Sequence, residues 1–337
     1  MQRYISCILS FVFYISPCCI HDSVSGELSR GKGTYRTHDE IIDMFRDECE
    51  RYPEATSFEV IGKTTLQNKI WAFRIGNPDA PKIIIDGCLH GWEDLGSEIS
   101  FLWIKWLLES KNQEAKRILE NTCWIVIPVV NADTYDRGNM NRSVCSGGID
   151  LNRNFLGGWK HVPACEGPFG TSHGESAGSE KETQVMRAFM DANKPTGGRK
   201  HVYINTHYGG GPWIHYHGTD AGYYSDIRRK LLVSWRSAGI VLKNVSLERF
   251  LPETAKDPAP GGAGGDAASF GYEAFTVEVV QRSCQNGRKF GPIDAPCGEG
   301  SPAHPSFESV QSELYPVWEP FYKAISESVM EWNDQIQ

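Results

Sequence analysis

Residues 86–98 read DGCLHGWEDLGSE, and they set His90 and Glu93 three residues apart where an apolar run ends. A spacing of three is close to one helical turn, so both side chains can face one point. His207 ends a second apolar run, KHVYINTH at 200–207. If both runs are strands of one sheet, two imidazoles and a carboxylate share a rim. That is a catalytic zinc set, with a fourth position left for water. The spacing HxxE is a weak signal by itself. A lone histidine at a strand end is more often simply hydrogen-bonded, and a glutamate at a helix start answers the helix dipole.

Glu278 lies inside FTVEVV, an apolar run where a buried carboxylate is costly without a partner or a task. Alternation puts Thr276, Glu278 and Val280 on one face and Phe275, Val277 and Val279 on the other. Two readings stand for Glu278: a core ion pair with an arginine, or a general base taking a proton from zinc-activated water. A further polar cluster is GGIDLNRNF at 147–155. Arg153 offers a bidentate fork for a carboxylate and Asn152 adds an amide donor. Asp150 and Asn154 suit Asx-type turns that hold such a loop. Arg142, eight residues before Asp150, is a second cation within reach of the same cleft.

These groups must be positioned by alternating helices and strands. HDEIIDMFRDECERYP at 38–53 carries apolar residues at 41, 42 and 45 and stops at a proline, which predicts a first helix. SFEVIG and KIWAFRIG flank a polar turn at 64–69 and predict a hairpin. PKIIIDG at 81–87, TCWIVIPVVN at 122–131, KHVYINTH, and EAFTVEVV at 273–280 read as strands, the first three buried on both faces. GSEISFLWIKWLLES, SEKETQVMRAFMDAN, YSDIRRKLLVSW and the segment 313–333 read as helices. Buried strands alternating with helices indicate an α/β fold with a largely parallel sheet. Ligands in such folds bind beyond the carboxyl ends of the strands. The Gly/Pro-rich stretches at 138–174 and 252–266 are long loops inside one domain, and such loops usually carry function.

Composition removes other classes. Hydrophobic residues make up 40% and charged residues 23%, ordinary for a globular chain. A net charge of −8 with scattered basic residues argues against phosphate neutralisation, so no nucleic-acid partner is expected. Arg3 precedes the uncharged run YISCILSFVFYIS at 4–16, which has the length of a signal-peptide core and is short for a membrane span. Residues 1–25 are therefore expected to be a removable signal and 26–337 one secreted catalytic domain, with no membrane contact after cleavage. Ten cysteines occur, three of them in or beside the signal. Cys145 with Cys165 and Cys284 with Cys297 each bracket a Gly-containing loop and suit disulfides in an oxidising compartment. Cys88 and Cys123 fall in strand-like runs and read as buried thiols. Asn141 and Asn244 stand in glycosylation sequons.

In order along the chain, HGWE, NRS at 141–143, GIDLNRNF, NTHYGG and FTVEVV resemble the zinc carboxypeptidases related to pancreatic carboxypeptidase A, peptidase family M14. The resemblance runs from about Thr37 to the C-terminal helix. It implies a mixed, largely parallel eight-stranded twisted sheet with helices on both faces. It also implies one zinc ion held by His90, Glu93 and His207, with Glu278 as general base. Arg142 would stabilise the oxyanion, and Asn152 with Arg153 would hold the terminal carboxylate of a peptide or protein substrate. Cys145 and Cys165 fall where pancreatic members carry a disulfide. Family-like sequence begins soon after the signal, so no prodomain is expected; the enzyme is made active or is held off by a separate proteinaceous inhibitor, and is expected to be monomeric. The sequence departs from the family where a lid tyrosine is usual: no tyrosine occurs between Tyr224 and Tyr272, and Phe250 cannot donate. If Asp266 lines the specificity pocket, basic C-terminal residues are favoured; if Gly265 does, the pocket is neutral. A wall-peptide peptidase of the γ-glutamyl–diaminopimelate type and an inactive zinc-binding module are the competing functions.

Overall fold

The computed structural model describes residues 36–91, 93–135, 148–163, 166, 172–209, 213–237, 261–281, 297–298, 301–302 and 307–335. The expected signal at 1–25, Trp92, Asn141, Arg142, Cys145, Cys165, Asn244, Phe250 and Cys284 lie outside them, and with them both expected disulfides.

Helix α1 (His38–Arg51) begins at Thr37. The Thr37 hydroxyl accepts from the Glu40 N–H, and the Glu40 carboxylate accepts from the Thr37 N–H. This capping box satisfies two backbone donors that the first turn leaves open. The helix turns Ile41, Ile42 and Phe45 inward, the spacing read from the sequence. Strands β1 (Thr56–Lys63) and β2 (Lys69–Gly76) then form the expected antiparallel hairpin. Its turn is held from outside, because Asp133 accepts from Leu66 N and from Asn68 Nδ2, each at 2.8 Å, and Glu182 accepts from Thr65 N at 2.9 Å.

Strand β3 (Lys82–Asp86), helices α2 (Leu95–Glu109) and α3 (Gln113–Asn121), strand β4 (Cys123–Ile127) and the short helix α4 (Ala132–Tyr135) follow. Next come α5 (Lys181–Ala192), β5 (Val202–Gly209), β6 (Trp213–Tyr216), α6 (Ala221–Ser237), a short helix Ala263–Ser269, β7 (Glu273–Gln281) and the C-terminal helix Tyr315–Asp334. The sheet order is β1-β2-β4-β3-β5-β7-β6. Strands β4, β3, β5 and β7 run parallel in the middle. The pairs β1–β2, β2–β4 and β6–β7 are antiparallel.

The α/β class and the mixed sheet are as expected, but the described sheet has seven strands, not eight, and is half antiparallel. The physical reason lies at the edges. The hairpin supplies one reversed strand, and β6 supplies another from the four residues Trp213–Tyr216, too short to show an alternating pattern. Alternation does sort the central strands. Ile83, Ile85, Trp124, Val126, Val202 and Ile204 pack under α1, α2, α6 and the C-terminal helix. Ile84, Ile125, Ile127 and Tyr203 pack under α5 and the helix 263–269. Cys49, Cys88 and Cys123 are buried, as read for the latter two, and Cys88 Sγ lies 3.4 Å from Ser97 Oγ. No helix among the described residues is long and apolar enough to cross a membrane.

Candidate metal centre and active site

The carboxyl ends of the parallel strands meet at one rim, on the face covered by α5. After Asp86 the chain leaves β3 through Cys88, which takes φ +52°. Non-glycine residues adopt this left-handed region at a cost and chiefly where the surroundings fix it. His90 and Glu93 then close a turn, Glu93 N donating to His90 O at 2.9 Å. Gly91 permits a close approach, because a Cβ there would lie 2.8 Å from Tyr135 N in α4.

His90, Glu93 and His207 are all buried, and one ligand atom from each lies within 4.8 Å of the others. Glu93 Oε2 is 2.9 Å from His90 Nδ1 and 2.7 Å from His207 Nδ1, and the two Nδ1 atoms are 3.2 Å apart. The far nitrogens face hydrogen-bond acceptors. His90 Nε2 lies 3.0 Å from Asp150 Oδ1, and His207 Nε2 lies 2.6 Å from Asn205 Oδ1. If both Nε2 atoms carry the proton and donate outward, two lone pairs and a carboxylate point into one small space. Such an arrangement is repulsive without a cation, and the donor set of two nitrogens and one carboxylate oxygen fits zinc. Burial alone would raise the Glu93 carboxyl; the adjacent imidazoles, when charged, outweigh it and hold Glu93 well below the usual carboxylate range.

Glu278 stands on β7, in register with His207 on β5, and is 7% exposed. Neighbouring strands are about 4.8 Å apart, so in-register side chains on one face lie side by side. Phe275, Val277 and Val279 join the core of the opposite face, as the alternation requires. Asp150 does double service: its Oδ1 faces His90 and also accepts from Asn152 N at 2.9 Å, the Asx-type bond expected of it. Asn154 is a loop clamp, donating to His173 O at 2.8 Å and accepting from Glu180 N at 3.1 Å. Asn152 reaches the candidate metal site. Its Oδ1 accepts from Ala263 N at 2.9 Å, which turns Nδ2 to within 2.9 Å of His207 Nε2. Arg153 is half-buried and donates to Asn152 O at 2.8 Å.

Asp266 does not present a free charge to this cleft. It is 1% exposed, its Oδ2 accepts from Arg187 Nε at 2.6 Å, and its Oδ1 accepts from Gly157 N at 3.3 Å. Gly264, two residues earlier, approaches Thr276 and His217 closely: a Cβ there would stand 2.8 Å from Thr276 Oγ1. His217 bonds Thr276 Oγ1 at 2.8 Å, and burial lowers its pKa to about 4. Sequence reasoning passed over Asp86 and Asn205. The signals were present, an acid closing a β-branched run and an asparagine two residues before His207 on the same strand face.

The zinc carboxypeptidase family profile matches residues 41–280, well over half of the chain. Mast cell carboxypeptidase A of Mus musculus is 28% identical over 188 residues, 51% of this chain and 44% of that protein. Carboxypeptidase B of Rattus norvegicus is 30% identical over 161 residues, 43% of this chain and 39% of that protein. The matching stretch thus spans less than half the length of these relatives. Among solved structures, bovine thrombin-activatable fibrinolysis inhibitor in complex with tick carboxypeptidase inhibitor superposes with a TM-score of 0.62. It is 18% identical and covers 89% of this chain and 98% of its own, which speaks for the fold. On the family match and the buried two-histidine, one-carboxylate centre, this chain belongs to the zinc carboxypeptidases, peptidase family M14.

Proposed function

We propose that the protein is a secreted metallocarboxypeptidase that removes the C-terminal residue of peptides with one zinc ion. The observation that carries this reading is the convergence of His90 Nδ1, His207 Nδ1 and Glu93 Oε2, with Glu278 in register beside His207. When bound, zinc supplies a Lewis acid that polarises a carbonyl and lowers the pKa of a water. Glu278 takes the proton of the attacking water and returns it to the departing amine. Its near-complete burial keeps that proton from bulk solvent. Asn152 Nδ2 and the Arg153 guanidinium bind the terminal carboxylate, which restricts the reaction to the last peptide bond. Arg142 offsets the charge developing on the carbonyl oxygen. Because Asp266 is neutralised by Arg187, the side chain of the terminal residue meets a neutral pocket. No tyrosine occurs between Tyr224 and Tyr272, so a bond to the terminal carboxylate from a tyrosine of that stretch is not part of this reading.

The test incubates purified protein and zinc with peptides that differ only in the last residue, alongside wall muropeptides, and follows products by mass spectrometry. Release of single C-terminal residues is expected. Turnover of muropeptides alone would replace this reading with the wall-peptide one, and zinc binding without any turnover would leave a binding module. Glu278→Gln should lower turnover by about 10²–10⁴-fold with zinc content unchanged.

A further inference from the structure

We propose that Asn205 and Asp86 are positioning residues that hold the His207 ring in the one tautomer able to bind zinc. The inference rests on His207 being a metal ligand, as read above.

Two amides face the same ring nitrogen with opposite polarity. Asn205 Oδ1 lies 2.6 Å from His207 Nε2 and asks for a proton there. Asn152 Nδ2 lies 2.9 Å from the same atom and asks for a lone pair. A neutral imidazole satisfies one of them. If Asn205 prevails, the proton sits on Nε2 and Nδ1 presents its lone pair to the metal. If Asn152 prevails, the proton sits on Nδ1, where it donates to Glu93 Oε2 at 2.7 Å and closes the metal site.

The sheet weights the outcome. Asp86 on β3 is in register with Asn205 on β5. Its Oδ1 accepts from Asn205 Nδ2 at 2.8 Å, which fixes the amide with its oxygen toward the ring. Its Oδ2 accepts from Tyr203 Oη at 2.6 Å, and its backbone carbonyl accepts from Thr206 Oγ1 at 2.6 Å. Asp86 and Asn205 are fully buried, so the amide cannot flip without stranding two polar groups. Three successive same-face positions, 203, 205 and 207, therefore relay one orientation from Asp86 to the metal ligand. His90 is held differently, by the carboxylate of Asp150 directly. Partners of this kind commonly set metal affinity by 10–100-fold.

The experiment uses the full chain. Zinc affinity is measured against a chromophoric chelator for wild type, Asn205→Ala, Asn205→Asp and Asn152→Ala. Melting of each metal-free form checks folding. The ring tautomer of His207 in the metal-free protein is read by ¹⁵N histidine NMR. Wild type should show the Nε2–H tautomer. Asn205→Ala should bind zinc about 10–100-fold more weakly and show a mixed or Nδ1–H ring. Asn205→Asp, which keeps an acceptor and shares a proton with Asp86, should restore both. Asn152→Ala, which removes the competing donor, should bind zinc no more weakly than wild type. Should Asn205→Ala not fold, Asn205→Leu fills the volume without an acceptor and takes its place. An unchanged tautomer and affinity in Asn205→Ala, or an Asn205→Asp protein as defective as Asn205→Ala, overturns the proposal. Failure of wild type to bind zinc at all would instead overturn the metal-site reading, and the tautomer measurement would still decide the role of Asn205.

Discussion

The two histidines of the candidate metal centre reach it by different routes. His90 sits on a turn past the end of β3, after a strained Cys88, beside a glycine packed against α4, and it leans on Asp150 from a loop. His207 sits within β5, paired with Glu278 of β7 just before the register of that ladder shifts, and leans on Asn205 of its own strand. One arm is assembled from several irregular segments; the other is built into the sheet. An irregular arm has many places to fail and a laddered one has few, so substitutions of similar size should have unequal consequences on the two sides.

The largest expected effect is on the irregular arm. Asp150→Ala removes the acceptor from His90 and also the bond to Asn152 N. Zinc affinity should fall toward the upper end of the 10–100-fold range, and KM should rise because the Asn152–Arg153 loop loosens. Asn205→Ala on the laddered arm should fall less and leave KM nearly unchanged. Equal losses in chelator competition, or a KM change on the laddered side only, would break the comparison.

Next in size is Gly91→Ala. A Cβ at Gly91 would press on the α4 backbone, and overpacking of this kind costs about 1–3 kcal/mol. Melting of the metal-free protein should drop and zinc binding should weaken together, because the displaced segment carries His90 and Glu93. A variant that melted lower yet held zinc as tightly would show that the turn absorbs the strain before it reaches the ligands.

Legibility in the sequence divides along the same line. The central strands were readable because alternation and β-branched runs report burial directly: Ile83, Ile84 and Ile85 fall on alternate faces as their pattern requires. His90, Glu93, His207 and Glu278 could be placed at one rim because each follows or interrupts such a run. What the sequence does not carry is pairing across the sheet. That Asp86 stands opposite Asn205, or that Asp266 spends its charge on Arg187 of α5, depends on register and helix packing between residues 79 to 119 positions apart. Edge strand β6 was missed for want of length, and Cys88 gave no hint of strain because cysteine is not a residue that favours a positive φ.

A smaller effect follows from Asp266. Arg187→Met leaves its carboxylate without its guanidinium partner at the edge of the helix that packs on Thr276. Preference among peptides should then shift from neutral toward basic C-terminal residues by less than tenfold, with kcat on neutral substrates little changed. A wild-type enzyme that already prefers C-terminal Arg or Lys would show that Asp266 is exposed to substrate despite the pairing.

The last prediction concerns histidines outside the candidate metal centre. His90 and His207 face carboxylate or amide acceptors, whereas at His217 and His201 burial dominates and works against a charge. Burial, with the nearby His215, lowers His217 to about 4. Burial also lowers His201 to about 4, with Lys82 and Arg199 adding to it and the bond to Asn193 O opposing. Both folded values are depressed below the unfolded value of about 6.5, so the unfolded chain takes up these protons first. Stability of the metal-free protein should be full above pH 6.5, fall as pH drops toward 4 by up to about 1.4 kcal/mol per pH unit for each group, and level off below. His217→Gln should flatten half of that slope in urea melts between pH 7 and 4.5. A slope unchanged by His217→Gln would mean that the imidazole charges in place beside Thr276 Oγ1.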